Sequence, residues 1–192
     1  MPNATRLIIE YGKCGHPLGK ALNQDDAEQL IEQLRSRLAT DEQNLDLSPA
    51  SLKRLEKLLI NLSTSIELCE SILEDEELAS LIREIAAYVG QVLVLHTEGE
   101  WRVNEHLNRL WDTDIVIGQN LDISNGVKPF VNPFRLSMSL GNYAAATWDL
   151  ILLGKDPGLY KMYQTTKRKL ASQRRQIANS FENGQQQIPT NS

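Results

Sequence analysis

Asp75-Glu76-Glu77-Leu78-Ala79-Ser80-Leu81-Ile82-Arg83-Glu84-Ile85-Ala86-Ala87-Tyr88-Val89-Gly90-Gln91-Val92-Leu93 is the stretch on which the fold turns. Three carboxylates open it, where they face the positive end of a helix dipole. Leu78, Leu81, Ile82, Ile85, Val89, Val92 and Leu93 then recur at helical spacing and line an apolar face too broad for a surface helix. The spacing predicts the central helix of a domain. Arg83, Glu84, Gln91 and His96 interrupt or bound the run, which reads as a buried helix and not a membrane span. The acidic run Glu74–Glu77 is taken as the stabiliser of this helix start, in preference to a cation site or a partner-binding patch.

Working outward toward the N-terminus, Leu47-Ser48-Pro49 is the clearest helix opening, with Ser48 as cap and Pro49 in the first turn. Leu52, Leu55, Leu59 and Leu62 form its face, and Asn61–Ser65 is expected to end or kink it. Asn23 before Gln24-Asp25-Asp26 predicts a helix over residues 24–39, with Ala27, Leu30, Ile31, Leu34 and Leu38 inward. Leu7-Ile8-Ile9 among polar residues, followed by Gly12, Gly15, Pro17 and Gly19, predicts a short strand or extended arm and a glycine-rich loop.

Toward the C-terminus the pattern changes at Gly99. Trp101–Val103, Ile115–Ile117 and Val127–Val131 are strand candidates, the last confined to a sheet edge by Pro129. Asn132-Pro133 predicts the cap of a short helix, Phe134–Leu140, stopped by Gly141. Helical spacing resumes over Tyr143–Leu153, and Asp156-Pro157-Gly158 reads as a turn. A last helix is expected from Leu159 to Asn179 with a thin stripe of Leu159, Met162 or Tyr163, Leu170 and Ile177. The fold class predicted is α+β: N-terminal helices, a small, mainly antiparallel sheet, then C-terminal helices. The divisions are a strand and loop over 1–22, the α+β domain over 23–157, a basic helix over 158–180 and a disordered tail over 181–192.

With 192 residues, 41% hydrophobic and 23% charged, the chain can bury a core without disulfide or metal staples. The net charge of −5 argues weakly against nucleic-acid binding by the domain as a whole. Cys14 and Cys69 read as reduced thiols, and the first residues carry no basic-then-apolar secretory pattern, so a cytoplasmic location is expected.

Four motifs in order, Leu47-Ser48-Pro49-Ala50-Ser51-Leu52, Ala87-Tyr88-Val89-Gly90-Gln91-Val92, Gly99-Glu100-Trp101 and Asn132-Pro133-Phe134, resemble the layout of a widespread, poorly characterised group of bacterial domains. The resemblance covers roughly residues 25–155. It implies a compact α+β domain and transfers no catalytic residue. Thr97-Glu98-Gly99 departs from the glycine-rich turn usual before that tryptophan, and the basic segment after Leu159 has no counterpart there.

No reaction chemistry is legible. Cys14 and His16 supply at most half of a tetrahedral zinc site, and His96 and His106 would have to converge on it through the fold. No Gly-x-Ser-x-Gly elbow and no Walker loop occurs, so neither catalytic residues, a metal nor a cofactor is expected. The basic C-terminal segment is the better candidate. Lys155, Lys161, Lys167, Arg168, Lys169, Arg174 and Arg175 fall close together, with Asp156 and Glu182 the local acids. Such a segment serves an acidic protein surface, a nucleic-acid backbone or, least favoured because its stripe lacks a bulky apolar face, an anionic membrane, or is simply a solvated terminal helix. Trp101 and Trp148 read as core anchors, whereas Trp111, beside Arg109 and Asp112, is the tryptophan expected at an interface. The function expected is that of a non-enzymatic accessory or adaptor protein docking on a partner protein through Arg109, Trp111 and the basic helix. The alternatives are a nucleic-acid-associated module using that helix and an enzyme using His96 or His106.

Overall fold

The computed structural model describes residues 3–22, 24–68, 73–97, 99–102, 109–110, 114–117 and 136–185. Six α-helices build the protein among these residues: α1 (Ala4–Cys14), α2 (Gln24–Arg37), α3 (Ser51–Leu68), α4 (Asp75–Thr97), α5 (Leu140–Leu152) and α6 (Leu159–Gln185). The α+β expectation is therefore overturned, and the fold is helical. Extended pairing among the described residues comprises an isolated Lys20–Arg109 bridge and three four-residue segments, β1 (Gly99–Arg102), β2 (Asp114–Ile117) and β3 (Leu136–Ser139), aligned antiparallel in chain order. They make no layer. The buried core described comes from the helices and their connections, and half-buried Trp101 of β1 packs on it.

The long stretch that opens at Asp75 is α4, and it is the hub: α2, α5 and α1 all pack on it. Its side chains from Leu78 to Leu93 are almost continuously buried. Glu84 is buried with them because the Arg37 guanidinium of α2 binds both of its oxygens, at 2.9 Å each, and Ser80 Oγ donates to one of them. Two of the sequence motifs meet here. Tyr88 Oη donates to Ser51 Oγ and accepts the Leu47 N–H at 3.2 Å, which fixes the α3 opening onto α4. A Cβ on Gly90 would lie 2.4 Å from the Trp101 ring, and Trp101 Nε1 donates to Gln91 Oε1 at 3.2 Å.

Ser48 caps as expected, its Oγ accepting the Ser51 N–H at 3.2 Å, although regular helix begins only at Ser51. The α3 helix does not end at Asn61. The hydroxyls of Ser63, Thr64 and Ser65 donate to carbonyls three or four residues back, so these residues are satisfied within the helix to Leu68.

Two further expectations fail locally. Residues 4–14 are α1, not a strand: Asn3 caps the first turn, Asp149 of α5 accepts the Ala4 and Thr5 N–H groups, and Gly15 at φ +74° ends it. Leu136–Ser139 is extended, so α5 starts at Leu140 and Gly141 lies in its first turn. Gly141 is there for closeness rather than as a stop, since a Cβ would sit 2.6 Å from the Leu110 carbonyl oxygen. The candidates Asn23, Cys69, Val127–Val131, Asn132-Pro133-Phe134 and residues 186–192 lie outside the described residues. The expected tail is helical over 181–185.

Candidate functional site

The α6 helix begins without an acidic residue in its first turn. Its dipole is instead met across the fold, where Glu56 of α3 accepts the Tyr160 N–H at 3.2 Å. Asp156 accepts the Gly158 N–H at 3.0 Å, and Gly158 at φ +66° turns the chain into the helix, where its carbonyl takes the Met162 N–H. Leu159, Tyr163, Thr166 and Leu170 then bury one face of α6.

This arrangement opens a groove of about 570 Å³ between α3 and the α5–α6 turn. Ile60, Ile151, Pro157 and Tyr160 give it an apolar floor, and Lys53, Lys57, Lys155 and Lys161 stand around it. Lys53 Nζ lies 4.3 Å from the centre of the Tyr160 ring, a cation–π distance. Among the described residues none of the four lysines is ion-paired with a carboxylate. The two carboxylates of the groove, Glu56 and Asp156, each accept a backbone N–H. Tyr143 donates to the Gly158 carbonyl at 3.4 Å, and burial, with Glu56 and Asp156 adding, pushes its phenol up to about 12.

Lys161 is the one expected contact residue that lines this groove. Lys161, Arg168 and Arg175 recur every seven residues, all exposed, on the face of α6 opposite its buried stripe. Lys167 and Lys169 are exposed on its flanks, and Arg174 lies in the same helix. Arg109 is elsewhere: it is half-buried and its backbone bridges to Lys20 before α2. Trp111 and His106 lie outside the described residues. Sequence reading passed over Lys53 and Lys57, one helical turn apart on α3, because nothing local joins them to a turn a hundred positions onward.

The two described histidines are held apart by their local roles. His16 accepts the Leu18 N–H on Nδ1 and its ring lies tilted against Tyr11, while His96 Nε2 meets the Leu47 carbonyl at 3.0 Å. Cys14 is exposed, its thiol directed to the Tyr11 carbonyl. No group of three metal-binding side chains occurs among the described residues. What the groove offers chemically is recognition: cations at the rim, apolar surface within. No protein-family model, curated protein or solved structure matches this chain.

Proposed function

We propose that this chain is an accessory protein that docks on a partner protein, with the α3–α6 groove and the outer face of α6 as its docking surface. One observation carries the reading: four lysines without carboxylate partners surround an apolar floor, while both local carboxylates are engaged by backbone. Protein interfaces combine an apolar centre with a polar rim in this way. Nucleic-acid binding would use the lysines and leave the floor idle, and the net charge of −5 opposes it.

The same reading treats α4 as a core helix of a cytoplasmic protein. It is long and apolar enough to cross a membrane, but 72% of that window is buried inside the fold. The test is affinity capture from the native cell with the full chain and with the double variant Lys57→Glu/Lys155→Glu, each with and without nuclease. Cutting after Pro157 is unsuitable, because Leu159, Tyr163 and Leu170 of α6 are part of the core. A protein retained after nuclease and lost by the variant supports docking through the groove. Loss on nuclease treatment would put nucleic acid in its place, and equal capture by the variant would move docking to another face.

A further inference from the structure

We propose that the groove's occupant is an acidic segment of the partner protein carrying one bulky apolar side chain, a conclusion that rests on the docking reading above. The rim supplies four ammonium groups on three elements: Lys53 and Lys57 on α3, Lys155 in the turn and Lys161 on α6. They reach the groove from three separate elements rather than from one. Between them Ile60 keeps 43% of its surface exposed, and the Tyr160 ring lies alongside. A side chain seated there removes apolar area from water, at about 25 cal/mol per Å².

A free phosphate or small dicarboxylate fits less well. The helix N-terminus that would cradle it is already taken, since Glu56 holds the Tyr160 N–H and would repel an arriving anion. An extended series of carboxylates escapes this conflict by meeting the lysines at the rim. The cationic surface also continues past the groove: Arg168 and Arg175 follow Lys161 at seven-residue steps, covering about 21 Å of helix. That length suits a segment better than a single ion. Charge complementarity would speed encounter, and the apolar anchor would set the register.

The test uses the full chain and a fluorescein-labelled Asp/Glu peptide of about twelve residues with a central Trp, read by anisotropy against the same peptide with Ser in place of Trp. The account expects the Trp peptide to bind about tenfold or more tightly than the Ser peptide, and Ile60→Asp to erase that difference. Lys57→Glu/Lys155→Glu should weaken the Trp peptide by about tenfold or more while thermal unfolding stays unchanged. Equal binding of both peptides, equal binding of duplex DNA, displacement by millimolar inorganic phosphate, or no binding up to about 1 mM peptide would each overturn the proposal. If the peptides fail while the double variant still loses its captured protein, the acidic-anchor chemistry falls and docking through the groove stands. If capture is also unaffected, both fall.

Discussion

The α4 core and the α3–α6 groove handle charge in opposite ways. In the core, Glu84 is buried with both oxygens bound by Arg37, and the Tyr88 hydroxyl is held between Ser51 and the Leu47 amide. Glu84, the carboxylate buried there, is matched on both oxygens, because an unmatched one would cost several kcal/mol. In the groove it is the carboxylates that are engaged, by backbone, and the lysines that are left facing solvent. The lesson is a separation of roles: substitution in the first region should unfold the protein, and in the second should leave it folded and unable to dock.

The hardest blow to that separation would come from Glu84. Replacing it by Ala strands the Arg37 guanidinium against α4 and should destabilise by about 3 kcal/mol in denaturant unfolding. A loss below about 0.5 kcal/mol would show that the pair is not structural. Next is Gly141→Ala, whose new methyl meets the Leu110 backbone first, 2.6 Å from its carbonyl oxygen, and the Leu110 Cγ at 2.8 Å. A loss of about 2 kcal/mol is expected from this overpacking. A double-mutant cycle of Ser51→Ala and Tyr88→Phe should return a coupling of about 1 kcal/mol, and zero coupling would remove the hydroxyl pair as a link between α3 and α4.

Tyr143, beside the groove, gives a pH test. Its folded phenol titrates at about 12, above the value of about 10 for an unfolded tyrosine. The neutral form is the one the fold favours, so this contribution to stability is complete below about pH 10 and is lost as the pH rises toward 12. Tyr143→Phe should flatten that decline in stability with little effect at neutral pH. An unchanged base-side slope would mean that the phenol is not buried as described. The smallest effect on stability belongs to Lys57→Glu/Lys155→Glu, within about 0.5 kcal/mol of the parent, since both side chains are exposed and Lys155 closes the α5 C-terminus through its backbone N–H alone.

Much of the helical framework was legible because it is written locally. The carboxylates at Asp75–Glu77, facing the helix dipole, and the hydroxyl of Ser48, accepting the Ser51 N–H, announce helix starts. The rest depends on distant partners. Leu7-Ile8-Ile9 has the look of a strand, and what makes it helical is a cap at Asn3 together with Asp149, more than a hundred residues away. Gly141 has the look of a helix stop, and only the approach of Leu110 shows it to be a contact point. Short β-like runs around Trp101 and Ile115 suggest an α+β domain, yet these pair over four residues each within a fold that is helical. The groove was half visible: Lys161 stood out in a basic segment, but Lys53, Lys57 and the floor join it only once α3 and α6 have packed.

The most direct measurement of the division between core and groove pairs two readouts on Lys57→Glu/Lys155→Glu: thermal unfolding, and capture of the nuclease-resistant partner. The account predicts an unfolding midpoint equal to that of the parent and capture lost. Capture retained at parental levels, or lost only together with the fold, would contradict it.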